Sequence, residues 1–138
     1  MTGLPPIKEV LEEYQLVDVE DRYRLLIDLG RQLEPMPDAL KTDATKVRGC
    51  SASVWVYPAA VDGRLHFLAD SNAAITKGIV ALILAAVQGR PAVEVADLDI
   101  AAALDPFELG KHLSANRTQG VPNMIALVKE TARRYAAA

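Results

Sequence analysis

An uninterrupted apolar run, Ile79–Val87, constrains the fold of this 138-residue chain more than any other feature. The run is far too short to cross a bilayer, which takes roughly 20 apolar residues in a helix. It continues an apolar stripe with helical spacing that begins at Ile75, and Gly89 supplies a stop after it. A helix that is apolar on nearly every side must be buried. The sequence therefore predicts a central core helix, for which Ser71 is the candidate N-cap.

A β-hairpin is predicted just before this helix. Residues 53–57 and 64–69 are rich in side chains that favour strands. Asp62-Gly63 between them is a strong turn signal, because glycine tolerates a positive φ. Pro58 on the first strand indicates an edge strand or a bulge. A two-residue turn sets the register, which pairs Val61 with Arg64, Ala59 with His66, Tyr57 with Leu68, and Trp55 with Asp70.

The rest of the chain is predicted to be mainly helical. Pro35 and Pro37 end the second helix, because proline supplies no backbone donor. Pro122 lies inside the last helical segment, so that helix either begins near the proline or bends at it. The predicted segments are helices at 7–14, 19–33 and 91–96, loops at 34–47 and through Asp105-Pro106-Phe107, and a last helix that Ser114 caps and that reaches Tyr135.

Together these elements predict an α+β fold in which a small antiparallel β-sheet packs against several α-helices. The length suits a single domain over residues 1–138. A formal net charge of −3 argues against a nucleic-acid partner, which requires a basic surface. The first residues show no basic segment followed by an apolar core, so the expected compartment is the cytoplasm, with no membrane partner.

Cysteine usage excludes several classes of site. Cys50 is the only cysteine, so one chain cannot form a disulfide, a two-cysteine redox motif or a multi-cysteine metal site. The only histidines are His66 and His112, and their spacing does not suggest metal ligands. The predicted register places His66 near the far end of the hairpin, whereas a cysteine–histidine pair needs hydrogen-bond contact. His112, in the last third of the chain, could still approach Cys50. With a single thiol, sulfur transfer requires an external partner.

Cys50 itself allows two interpretations. A structural role is common, because free cysteine is among the most buried residue types. A reactive role is favoured by its position at a loop-to-strand junction, by Gly49, which lets another backbone approach, and by the neighbouring cations Lys46 and Arg48, which favour the thiolate. The start of the core helix would favour the thiolate further if it lies close to the sulfur.

Arg117 is the second candidate functional residue. It lies shortly after Ser114, near the predicted start of the last helix. A cation there opposes the helix dipole, so local stability gives it little reason to be present. It is therefore either a solvated charge or a contact for a partner.

Several motifs occur along the chain in a characteristic order. They are Glu20-Asp21-Arg22-Tyr23 with the following Leu-Ile-Asp-Leu-Gly that ends at Gly30, Val47-x-Gly49-Cys50, Val54-Trp55, Ala69-Asp70-Ser71-Asn72-Ala73-Ala74-Ile75, Lys77-Gly78, and His112-Leu113-Ser114-x-x-Arg117-x-x-Gly120. Their order and spacing resemble the SufE family of sulfur acceptors, the SufE- and CsdE-type proteins of iron–sulfur cluster assembly. The resemblance covers nearly the whole chain, from about Pro6 to Ala132.

The resemblance implies both a fold and a mechanism. The fold is a small antiparallel sheet against helices, shared with the scaffold proteins of cluster assembly. In the mechanism, a SufS- or CsdA-like cysteine desulfurase uses its own pyridoxal phosphate to form a persulfide. The thiolate at the position of Cys50 takes that sulfur and passes it to a SufBCD-like scaffold complex. The chain itself would then bind no cofactor and no metal, and it would not be self-sufficient as an enzyme.

The resemblance also assigns residues by position. Cys50 is the acceptor, sheltered until the partner docks, and the loop and partner-binding residues are Arg48, Gly49, Ser51, Asn72, Lys77 and Arg117. The chain departs from the family pattern at three places. Ser51-Ala52-Ser53 stands where the family usually has Gln-Ser-Gln, Asn72 stands where it often has aspartate, and Pro122 lies within its final helix.

Three other functions compete with a persulfide carrier. The first is a regulatory module that binds a cysteine desulfurase without carrying sulfur. The second is a cluster scaffold, which the single cysteine disfavours because clusters need several thiolate ligands. The third is a structural domain with a buried thiol.

Overall fold

A two-stranded antiparallel sheet and a set of helices make up the part of the chain that the computed structural model describes, residues 4–137 without the side chains of His112 and Arg117. The elements in chain order are α1 (Ile7–Leu16), α2 (Val19–Arg31), β1 (Val54–Val61), β2 (Arg64–Ser71), α3 (Ala74–Val87), α4 (Ala92–Asp97), α5 (Ile100–Leu104), α6 (Leu109–His112), α7 (Ala115–Thr118) and α8 (Val121–Ala137), with 3-10 turns at Asp38–Leu40 and Asp105–Phe107. The predicted α+β class is confirmed. Within residues 4–137, no helix combines the length and apolarity needed to cross a membrane.

The core helix is α3, as predicted, and most of its residues are buried. It ends before Gly89, whose φ of +75° suits a helix stop. The prediction that Ser71 is its N-cap is wrong, because β2 continues through Ser71 and the cap position falls at Ala73. The Ser71 hydroxyl instead accepts a hydrogen bond from the Ala73 amide at 3.3 Å.

The hairpin forms in the predicted register, from Val61 opposite Arg64 to Val54 opposite Ser71. Both turn residues, Asp62 and Gly63, have a positive φ, as a tight turn between twisted strands requires. The hairpin is short and two-stranded, so it depends on packing against α3 for stability.

The prediction of a loop over residues 34–47 is wrong for residues 45–47, because these residues pair with the outer edge of β1. The amide of Val47 donates to the Val54 carbonyl, and the amide of Val56 donates to the Thr45 carbonyl, both at 2.8 Å. This pairing forces the intervening residues, 48–53, into a tight loop at the end of the sheet. We call these residues the Cys50 loop.

Two glycines bring α2 against α3. A Cβ on Gly78 would overlap the Leu26 carbonyl, and a Cβ on Gly30 would lie 2.8 Å from the Gly78 amide. Side chains at these positions would push the two helices apart, so the glycines set the separation of α2 from the core helix.

The C-terminal third is more helical than the sequence predicts. The predicted loop before residue 107 contains α5, which begins where the Asp99 carboxylate accepts from the Ala102 amide at 3.0 Å and which buries Ile100. Of the two alternatives at Pro122, the helix begins there, because the proline occupies the first turn of α8. Ser114 precedes only the short α7 and makes no side-chain capping bond.

Candidate functional site

The Cys50 loop is held against the beginning of α8 by side chains from that region. The Asn123 amide nitrogen donates to the Arg48 carbonyl at 2.9 Å, and the Gln119 amide nitrogen donates to the Ser51 hydroxyl at 2.8 Å. Gly49 takes a φ of +82°, which favours glycine, and a side chain there would also overlap Asn123. We call the Asn123 and Gln119 hydrogen bonds the loop clip.

Cys50 lies in the chain between Arg48 and Ser51, the two residues that the clip holds, and it is half-buried. Its Sγ lies 4.0 Å from the Gly120 carbonyl oxygen, the acceptor for its weak S–H donor. Gly120 makes this approach feasible, because a Cβ at that position would overlap Sγ and lie 3.1 Å from both Cα and Cβ of Cys50. The loop and α8 therefore fit together only because residue 120 lacks a side chain.

A small cavity of about 10 Å³ adjoins the thiol. Besides the Cys50 loop, its walls include Thr76 from α3, Asn116 and Gly120 from the segment that leads into α8, and Met124 from α8 itself. This volume is on the scale that holds one water-sized atom. The site therefore has room for about one small atom beyond the thiol.

Burial raises the pKa of the Cys50 thiol above its ordinary value. The expectation that Lys46 and Arg48 make the thiolate the favoured form is therefore wrong for this conformation. The side chains of Lys46 and Arg48 are exposed, and desolvation of the sulfur dominates instead. We call this conformation, in which the loop clip is formed, the closed loop. In the closed loop the protonated thiol is the favoured form.

Asn72 fixes the other end of the Cys50 loop. Its side-chain oxygen accepts a hydrogen bond from the Ser53 backbone amide at 3.1 Å. The backbone amide of Asn72 donates to the Ser53 carbonyl at 3.3 Å. Asn72 is exposed and lies just before α3, so it can contact a partner as well as hold the loop.

Lys77 belongs to an ion cluster beside the hairpin. Its Nζ lies 3.2 Å from one oxygen of Asp70, and Lys41 Nζ lies 2.8 Å from the other and 5.6 Å from the centre of the Trp55 ring. Burial raises the pKa of the Asp70 carboxyl, but the hydrogen bonds from Lys41, the Ser71 amide and Lys77 outweigh it and lower that pKa overall. The ammonium group of Lys77 is thus already paired with Asp70 within the fold.

The predicted site residues divide into three groups. Arg48, Gly49, Ser51 and Asn72 surround Cys50 or hold its loop, whereas Lys77 points to the Asp70 cluster. Arg117 lies in α7, next to the cavity residue Asn116, and its side chain lies outside the described structure, as does that of His112.

His66 pairs with Ala59 in the half of the hairpin nearer the turn, away from the Cys50 loop, which adjoins the opposite end of the sheet. Among the described residues, no group of His, Cys, Asp and Glu side chains is arranged to hold a metal ion.

Gln119, Asn123 and Thr76 also contribute to the site and were not predicted from the sequence. The two clip residues lie 68 and 75 positions from their partners in the Cys50 loop, so local sequence patterns give no signal for these contacts. Gly120 belongs to the last family motif, but its contact with Cys50 emerges only from the fold.

Comparison with known proteins places this site in context. Residues 8–132 match the SufE family, described as an Fe–S metabolism associated domain. The chain is 42% identical over 107 residues to the sulfur acceptor protein CsdE of Escherichia coli K12, a match that covers 77% of this chain and 73% of CsdE. It is 34% identical over 131 residues to an uncharacterized SufE-like protein of Rhizobium meliloti, covering 91% of this chain and 94% of that protein.

A solved structure shows the same fold. The solution structure of a hypothetical protein from Thermus thermophilus superposes with a TM-score of 0.78 over 98% of this chain and 99% of that one, at 17% sequence identity. The family match spans nearly all of the chain, and the relatives agree with it. The chain therefore belongs to the SufE family.

Proposed function

We propose that this chain is a sulfur acceptor that works with a cysteine desulfurase of the SufS or CsdA type. Cys50 receives sulfur as a persulfide, and the chain, acting as a single domain, delivers it to an iron–sulfur scaffold of the SufBCD type. The observation that carries the proposal is the lone half-buried thiol beside a cavity of about 10 Å³. The 42% identity to a protein named as a sulfur acceptor supports it.

The transfer step needs only one thiol on this chain. The Cys50 thiolate attacks the terminal sulfur of the desulfurase persulfide, and a new S–S bond forms at Cys50. The S–S bond on the desulfurase breaks, and its electron pair stays on the cysteine of that enzyme. No external oxidant or reductant is consumed. Pyridoxal phosphate acts on the desulfurase, and this chain is proposed to bind no cofactor.

The closed loop suits storage better than attack. The raised pKa of the Cys50 thiol leaves little thiolate at neutral pH, so the loop must open for Cys50 to act as the nucleophile. The same raised pKa makes Cys50 a poor leaving group, which slows loss of the transferred sulfur to stray thiols. We propose that docking of the desulfurase releases the loop clip and that the clip closes again over the loaded cysteine.

The partner surface is proposed to surround the Cys50 loop. Arg48 and Asn72 are exposed beside it, Lys77 lies on the neighbouring turn of α3, and Arg117 lies in α7. An Arg117→Ala variant should weaken docking to the desulfurase. Arg31→Ala is the matched control, because Arg31 is an exposed cation paired with Asp28 on α2.

Enzyme kinetics separate a carrier from a regulatory module. We expect the chain to raise the turnover of its desulfurase and the Cys50→Ser variant to lose that stimulation, because the variant has no thiol to accept sulfur. A variant that binds the desulfurase and still stimulates it fully would refute the carrier mechanism and support the regulatory module. A stable reconstituted cluster on the monomer would instead support a scaffold.

A further inference from the structure

An open groove of about 400 Å³ runs from the Cys50 loop along the beginning of α3. Tyr23 and Ile27 of α2 form one wall, and residues 73–76 form the other. The groove shares Ser51, Ala52, Thr76 and Asn116 with the small cavity beside Cys50, so the two recesses adjoin. A ligand in the groove would thus lie within reach of the thiol.

The wall formed by α3 offers backbone donors. The first hydrogen bond of the helix runs from the Lys77 amide to the Ala73 carbonyl at 2.9 Å, and the cap residue Ala73 has no side chain that could accept from the first turn. Within the described residues, the amides of 74–76 therefore have no acceptor. The 14-residue helix also places a partial positive charge at this end. Both features suit an anion.

The side chain of Thr76 gives an independent indication of a ligand. Thr76 is only 5% exposed, yet its hydroxyl makes no hydrogen bond to any residue in the described part of the chain. That part contains no sealed polar side-chain atom without a partner, so the Thr76 oxygen opens onto the recesses that it lines. The other buried threonine, Thr131, donates to the Leu127 carbonyl at 2.8 Å. The Thr76 hydroxyl is therefore nearly buried, faces the recesses, and has a hydrogen bond left to donate to a ligand there.

We propose that this groove binds the carboxylate of a small thiol, and that such a thiol takes sulfur directly from Cys50. The inference rests on the proposed function for the presence of a Cys50 persulfide. The carboxylate accepts from the amides of the first turn of α3 and from the Thr76 hydroxyl, while Tyr23 and Ile27 cover its carbon chain. Because Thr76 also lines the Cys50 cavity, a sulfur a few bonds from the carboxylate reaches the persulfide.

The transfer balances without a further reagent. The thiolate of the small molecule attacks the terminal sulfur of the Cys50 persulfide and forms a new S–S bond. The bond between that sulfur and Cys50 Sγ breaks, and its electron pair and a proton restore the thiol of Cys50. The small thiol leaves as a persulfide.

With a formal net charge of −3, the chain as a whole does not attract anions, so a preference for a carboxylate must arise locally.

Thiol–disulfide exchange tests the groove without any persulfide. The protein is treated with the symmetrical disulfide of 3-mercaptopropionate or of 2-mercaptoethanol, and the mixed disulfide at Cys50 is followed by intact mass spectrometry. The rate of each disulfide with the protein is divided by the rate of the same disulfide with N-acetylcysteine amide, which corrects for the intrinsic reactivity of the reagent. We expect a preference of about tenfold for the carboxylate reagent, the scale of a charge-assisted hydrogen bond at a helix N-terminus. No preference would overturn the inference.

Three variants assign the preference to the groove. Thr76→Val removes the hydroxyl at nearly constant volume and should reduce the preference severalfold, while Thr76→Ser should retain it. Thr131→Val removes a buried hydroxyl outside the groove and should leave the preference unchanged. If Thr76→Val prefers the carboxylate reagent as strongly as the unsubstituted protein does, the assignment is contradicted.

A second assay follows the sulfur itself. With persulfidated protein, the transfer rate should saturate with 3-mercaptopropionate and remain linear with 2-mercaptoethanol. Equal, unsaturated transfer to both thiols would overturn direct transfer. If the exchange preference holds but Cys50 never gains sulfur from an active cognate desulfurase, the groove stands and the proposed function fails.

Discussion

A Gly120→Ala substitution tests the contact that closes the Cys50 loop. The new methyl group would overlap Sγ and lie 3.1 Å from both Cα and Cβ of Cys50, so it cannot be accommodated while the loop is closed. Overpacking of this kind costs about 1–3 kcal/mol. If the loop yields, that cost shifts the balance from closed to open by about 5–150-fold.

The assay is the rate of Cys50 alkylation by iodoacetamide across a range of pH. We expect Gly120→Ala to react at least about fivefold faster at neutral pH, because opening favours the thiolate and exposes it. The apparent pKa of the reaction should also fall, since burial is what raises it in the closed loop. Gly110→Ala is the matched control, because a Cβ at Gly110 meets no atom within 4 Å.

Urea unfolding of Gly120→Ala distinguishes opening of the Cys50 loop from a loss of stability of the whole fold. If Gly120→Ala loses stability globally while its alkylation rate and pH profile match those of the unsubstituted protein, the loop is not the element that yields. That result would refute the closed-loop account of the raised thiol pKa.

Three further predictions concern the clip and the fold. Asn123→Ala and Gln119→Ala each remove a hydrogen bond of about 1 kcal/mol and should each speed alkylation roughly fivefold; unchanged rates would show that the clip does not hold the loop. Gly78→Ala places a methyl group against backbone and should lower the free energy of unfolding in urea by about 3 kcal/mol, whereas Gly110→Ala should change it by less than about 1 kcal/mol. The folded-state pKa of Asp70 lies below its unfolded value, so its cluster stabilises the fold above about pH 4 and loses that effect as the pH falls through the folded value. Asp70→Asn should therefore unfold more easily at pH 7, with a deficit that shrinks in acid, and a deficit that does not depend on pH would contradict this assignment.

The parts of the fold that local sequence specifies were predicted well. The Asp62-Gly63 turn sets the hairpin register, because a two-residue turn leaves one choice of pairing. The apolar run identifies α3 as the core helix, because every face of it requires cover. The SufE resemblance, carried by the order of motifs along the chain, is confirmed by the family match over residues 8–132.

The parts that depend on distant contacts were not predicted. The flanking cations suggested a thiolate at Cys50, but their side chains are exposed and burial of the sulfur decides the direction of its pKa shift. The clip residues Gln119 and Asn123 meet the loop only because α8 begins beside it. The helix α5 was missed because its short sequence, Ile-Ala-Ala-Ala-Leu, has little periodicity and is stabilised by burial and by the Asp99 cap.

Intact-protein mass spectrometry tests the central claim most directly. The chain is incubated with a cysteine desulfurase, pyridoxal phosphate and cysteine, without reductant, beside its Cys50→Ser variant. The account predicts a gain of one sulfur atom, about 32 Da, on the unsubstituted protein and none on the variant. If a cognate desulfurase that is demonstrably active leaves the mass unchanged, Cys50 is not a persulfide carrier and the account is wrong.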